Sequence, residues 1–156
     1  MTAKTWTPGT GPLGALEPLL GQFAAEGKSA NGQFQCMRSF EKTLGGQYVR
    51  LYAAWEFGGV LAYEETAIFG TDEESGIVYW SFTSDGKRSA GKSADVSDIH
   101  PEAVGFEAQM PAGLARQAYY PGEAGSYHWV VESKEESGWS RFVAHHYVPV
   151  DSASTS

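Results

Sequence analysis

Residues 47–69 read QYVRLYAAWEFGGVLAYEETAIF, two runs of β-branched and aromatic residues on either side of Gly58-Gly59. In the first run Val49, Leu51, Ala53, Trp55 and Phe57 fall on one face. Tyr48, Arg50, Tyr52 and Glu56 fall on the other, which is the period of an extended strand. Paired glycines between two such runs supply the positive φ that a tight reversal needs. The stretch therefore reads as a β-hairpin, and the same rhythm continues outward in both directions.

Candidate strands span residues 22–29, 33–43, 47–57, 60–69, 77–83, 88–96, 104–109, 114–120, 126–133 and 139–148. Turn formers separate them, among them Asn31-Gly32, Asp85-Gly86, Pro111-Ala112-Gly113 and Pro121-Gly122. Ten strands with links this short leave no room for crossover helices, so the pairing is expected to be antiparallel. An open sheet of ten strands would expose two long edges, whereas closure into a barrel removes them. The expected fold is all-β: a closed antiparallel meander barrel of about ten strands with a short N-terminal helical plug. The plug is PLGALEPLLG at 12–21, where Leu13, Leu16 and Leu20 recur at helical spacing and Pro18 interrupts. Residues 1–11 are expected to be a flexible lead, 12–150 the barrel, and 151–156 a disordered tail of small polar residues.

The chain has 156 residues, enough for one domain, with 11 Lys and Arg against 19 Asp and Glu for a net charge of −8. The few basic residues are scattered, with no basic stripe to displace counterions from phosphates, which excludes nucleic acid as the expected partner. No apolar run of about 18 residues spans a membrane, and the N-terminus lacks the apolar core of a secretory signal, so a cytoplasmic location is expected. Cys36 is the single cysteine and reads as a small buried hydrophobe.

Two nucleotide motifs occur by letter alone. Residues 9–14 (GTGPLG) match the dinucleotide fingerprint without the strand it must follow. Residues 86–93 (GKRSAGKS) match a phosphate loop, but His100-Pro101 ends any helix that would have to carry it. A hairpin turning at residues 84–87 is expected there instead. Glu64 and Glu65 are adjacent in a strand and face opposite ways, so they are not an acid/base pair. Asp95, Asp98 and His100 match no metal spacing, and no metal site is expected.

Histidine is the better lead. His145 and His146 sit in the last strand on opposite faces, so one enters the barrel, and His128 lies in the strand before. By period, Arg141 and Tyr147 share a face with His145. The period does not say which face is interior. The candidate ligand-binding residues are accordingly Arg50, Tyr52, His128, Arg141, His145 and Tyr147. The alternative is that these groups bond one another or water.

Residues 18–27, PLLGQFAAEG, resemble the P-L-L-G-x-W-x-G-x-G opening of the nitrobindin-like barrels and the broader G-x-W start of the lipocalin and fatty-acid-binding barrels. Single-domain bacterial members of that group are the nearest resemblance. Phe23 stands where those families have tryptophan and Ala25 where they have glycine. The resemblance implies a short helix before the first strand, and it implies that Arg141 covers Phe23 at the closed end. It also implies haem as a possible cofactor, with His145 or His146 as its ligand.

The expected function is binding of a small apolar or amphipathic molecule in the cavity, without a cofactor. Haem binding and a small-molecule enzyme using interior His and Glu are the rival readings. A homodimer through outer aromatics is a third.

Overall fold

The computed structural model describes residues 6–30 and 32–150. The expected tail, 151–156, and the first five residues of the expected lead lie outside them. Ten strands follow in order: β1 (Gly21–Ser29), β2 (Gly32–Thr43), β3 (Tyr48–Phe57), β4 (Val60–Asp72) and β5 (Gly76–Thr83). Then come β6 (Arg88–Ala94), β7 (Val104–Met110), β8 (Gly113–Pro121), β9 (Tyr127–Glu135) and β10 (Gly138–Pro149). Each pairs antiparallel with its neighbour in sequence, and β1 pairs with β10, closing the barrel.

Closure rests on few contacts. Phe23 faces Pro149 and Ala24 faces Val148, and the Val150 N–H donates to the Gln22 carbonyl at 2.9 Å. The partner registers stop there, although both strands continue toward the other end of the barrel. The seam is thus tied at one end.

That tied end is also the plugged end. Residues Gly14–Leu19 form a 3₁₀ helix with Pro18 inside it. Its three-residue period brings Leu16 and Leu19 into the core at 0% exposure, where the α-helical spacing had pointed to Leu20. Leu16 and Leu19 belong to one core cluster with Phe40, Val49 and Phe69 from the surrounding strands. Ahead of the helix, the Trp6 indole N–H donates to the Glu102 carbonyl at 3.2 Å and the ring packs on the same core.

Alternation assigns the faces. Val49, Leu51 and Ala53 of β3 are buried while Arg50 is exposed. The turn at 84–87 forms as expected: Thr83 N–H donates to the Lys87 carbonyl, with Gly86 at φ 84°. The phosphate-loop match therefore runs from a hairpin into a strand, with Lys92 exposed opposite Val78 and Glu107. Ahead of the GTGPLG match, residues 6–8 are not in a strand. No helix among the described residues is long and apolar enough to cross a membrane.

Candidate functional site

Away from the plug, the interior opens into a cavity of about 640 Å³. A barrel of eight strands is just wide enough to be filled by its own side chains, and ten strands leave more room. Inward positions of β3, β4, β5, β7, β8 and β9 build the walls. Trp55, Tyr63, Tyr79, Phe106 and Trp129 supply aromatic faces, and Phe57, Met110 and Phe142 form the rim. The lining is mainly apolar, with volume inside the range of small-molecule sites.

Few polar groups reach this space, and Glu65, Ser81 and Gln117 among them are hydrogen-bonded. Glu65 accepts from the Ser81 hydroxyl at 2.5 Å. Gln117 Oε1 accepts from the Trp129 indole N–H at 2.9 Å and from the Tyr119 hydroxyl at 3.4 Å. As the strand period requires, Glu64 points the other way and accepts from the Tyr52 hydroxyl at 2.6 Å.

Directly behind Trp129 lies Arg38, on β2, at 1% exposure. Its guanidinium carbon is 4.0 Å from the Trp129 ring centroid, and Nη2 donates to the Tyr119 hydroxyl at 2.6 Å. Burial works against its charge, while the fields of Tyr119, Tyr147, Glu65 and Tyr127 favour it, and its pKa stands above the ordinary arginine value. Burial pushes the Tyr119 phenol up to about 12, against the opposing pull of Arg38, so the hydroxyl is neutral. Burial raises the Cys36 thiol to about 11, which leaves it protonated and inert.

Sequence reasoning passed over Arg38. An arginine among Cys36, Met37, Ser39 and Phe40 looks like any polar residue on a solvated face. The available signal was parity: Cys36, Arg38 and Phe40 alternate on one face, and two of them are apolar.

The structure divides the six candidates. His145 and Tyr147 face inward: His145 Nδ1 lies 3.1 Å from the Tyr147 hydroxyl, and its ring packs against Phe34, Trp55 and Trp129. Arg50, Tyr52, His128 and Arg141 lie on the outer face. Arg50 pairs with Glu41, and Tyr52 bonds Glu64. His128 stacks on His146, its register partner, at 4.5 Å between centroids, and on Tyr120 at 5.0 Å. His146 bonds the Ser126 hydroxyl at 2.9 Å.

Arg141 corrects the period. A bulge between Arg141 and Val143 inserts one residue into β10, so Arg141 and His145 point to opposite faces. Arg141 pairs with Glu132 at 3.0 Å on the outer wall and does not cover Phe23, whose ring meets Tyr127 at 4.6 Å. In the 95–103 loop, Asp98 binds Arg116, Asp95 caps the Ser97 N–H, and His100 Nδ1 accepts from the Glu102 N–H.

His145 has a measurable consequence. Burial, and then the charge of Arg38, hold its imidazole down at about 4. Above pH 6.5 it is neutral whether folded or unfolded. Between 6.5 and 4 only the unfolded chain takes up the proton, so stability falls through that window and levels off below it. His145→Phe removes this contribution. The variant is expected to lose less of its melting temperature than the wild type between pH 7.5 and 5. Equal losses would show that His145 is not shielded.

The fold and the lining define a class: a closed ten-stranded antiparallel barrel, plugged at one end and hollow at the other. No family model and no curated protein matches the chain. Among solved structures it is similar to the crystal structure of Rv2717c from M. tuberculosis, with a TM-score of 0.61 and 13% identity. The match covers 91% of this chain and 99% of that one. That likeness is one of fold.

Proposed function

We propose that the chain binds a small, largely apolar molecule inside the barrel. The observation that supports this most is the cavity of about 640 Å³ bounded by aromatic side chains and open away from the plug. Burying apolar ligand surface there gains about 25 cal/mol per Å². The hydrogen-bonded groups at the floor orient whatever polar end the ligand carries.

N-phenyl-1-naphthylamine, a neutral dye that fluoresces in apolar surroundings, tests the reading. Saturable enhancement is expected, with a higher melting temperature by mass action, about 2.7 kcal/mol at a hundredfold excess over Kd. Ala108 lines the cavity at 7% exposure, so Ala108→Trp is expected to abolish binding. Ala90→Trp, on the exposed outer face, is expected to leave it intact. Dye that does not bind, or that ignores both substitutions, would remove the cavity from consideration.

Haem is less well supported. His146 lies on the outer face, and three aromatic rings stand within 5.5 Å of the His145 ring, which does not border the cavity. The residues as placed do not fit an axial haem ligand. The enzyme reading has no closer support: among inward acid and base groups, Glu65 is bonded to Ser81 and His145 to Tyr147, not to each other.

A further inference from the structure

Four rings stack in a row on the outer surface: His100, Tyr120, His128 and His146, with successive centroids 5.1, 5.0 and 4.5 Å apart. The cavity uses none of them. At one end of the row, His128 and His146 are register partners on β9 and β10. Their Nε2 atoms reach the same small space beside Gly122. A Cβ at that position would lie 3.2 Å from His128 Nε2 and 3.3 Å from His146 Nε2, and would collide with Ser126 Oγ. Two imidazole nitrogens and a hydroxyl oxygen therefore meet around a space that glycine leaves open.

We propose that His128 and His146 chelate one divalent transition-metal ion, with Ser126 Oγ and water completing its coordination sphere. The proposal is independent of the cavity reading, because this site is on the opposite face of the barrel wall. Imidazole suits zinc, copper and nickel, and two rings already paired across neighbouring strands need no backbone rearrangement to share an ion. The spacing fits. His146 Nε2 stands 2.9 Å from Ser126 Oγ, and two ligands at right angles with bonds of about 2.0–2.1 Å are about 2.9 Å apart. The Ser126 hydroxyl donates to the Glu123 carbonyl at 2.6 Å, which leaves its lone pairs for the histidine side. His146 then donates its Nε2 proton to that oxygen, and on metal binding the proton moves to Nδ1, the ring's other neutral tautomer.

The turn holds these atoms in place. The Gly122 N–H donates to the Ser126 carbonyl at 2.9 Å and the Ser126 N–H to the Glu123 carbonyl at 3.0 Å. The two imidazoles lie 18° from parallel, so small turns about χ2, a broad torsion in histidine, bring both nitrogens onto one ion. His146 is exposed, which gives the ion its route from solvent. Other soft donors are out of reach: Tyr120 stands between His100 and the pair, and His145 and Cys36 are turned into the barrel. Among the described residues no three His, Cys, Asp or Glu gather at one point, so the ion has two strong protein ligands and open positions.

Calorimetric titration of the untagged chain with Zn²⁺ and with Cu²⁺ tests the site. One ion per chain is expected, copper bound more tightly than zinc, and Mg²⁺ and Ca²⁺ should not compete because they prefer oxygen ligands. His146→Phe and His128→Phe each keep a ring in the stack and remove a nitrogen. Each is expected to weaken both ions about tenfold or more. His100→Phe should leave the affinity unchanged. Electron paramagnetic resonance of the copper-loaded chain should show coupling to two nitrogens, and to one in either single variant. If His128→Phe does not fold, His146→Phe decides alone, since that ring is exposed. No saturable binding of either ion at about millimolar concentration would overturn the proposal and leave the row of rings as packing. Affinity that survives both substitutions, or that falls as far with His100→Phe, would overturn it too. Copper binding without zinc binding would keep the site and assign it to copper.

Discussion

Phe69→Ala is expected to cost about 3–5 kcal/mol of unfolding free energy. For a domain of this size that lowers the thermal midpoint by roughly 6–20 °C. The ring is 1% exposed and touches Phe40 at 5.9 Å, Tyr79 at 5.4 Å and Phe106 at 5.3 Å. It joins the plugged end, through Phe40, to the cavity wall, through Tyr79 and Phe106. Truncation removes transfer energy and also opens a void that β4, hydrogen-bonded on both sides, cannot collapse into. Phe82→Ala is the control. That ring is 52% exposed on the outer wall, and its loss is expected to stay within about 0.5 kcal/mol. Chemical denaturation of both variants measures the difference, and equal losses would mean that the inner and outer faces of the barrel have been misassigned.

The second large effect lies on the outer wall. Arg116→Leu strands Glu132, which is 5% exposed and would keep only Arg141 as a partner. Removing one member of a buried ion pair costs about 3–5 kcal/mol, and the remaining contact at 3.0 Å puts this case near the lower end. The substitution also removes the guanidinium from the Trp139 ring, 4.2 Å away. The double change Arg116→Leu with Glu132→Leu is expected to recover most of the loss, because no buried charge is then unpaired. A double variant as unstable as the single would assign the effect to packing against Trp139. Asp98 adds a small pH dependence. Its hydrogen bonds to Arg116 hold its carboxyl below the ordinary 3.8. The stability it contributes is present above that value and is lost as pH falls through the lower folded one. Because Asp98 is largely exposed, solvent screens the effect, and Arg116→Leu should abolish it.

The barrel was legible because its signals are local. Period two, glycines at φ near 80° such as Gly59 and Gly86, and a plug of leucines each require only a few neighbouring residues. The site was less legible. Choosing His145 over His128 needs to be known which face turns inward, and β10 hides that behind its bulge. Counting by twos from Arg141 reaches His145 on the same face, whereas the extra residue near Phe142 reverses it. The stack of His146, His128 and Tyr120 is a property of three strands in register, visible only once pairing is known.

By itself, then, the order of residues determined the all-β architecture, the antiparallel pairing and the closure, since short links and alternating side chains admit few other arrangements. Tertiary structure alone decided that Arg38, eighty-one positions from Tyr119, stands buried behind Trp129. Burial of a charge is a property of everything packed around it. Nothing in the sequence adjacent to Arg38 distinguishes a solvated arginine from one enclosed at the centre of a barrel.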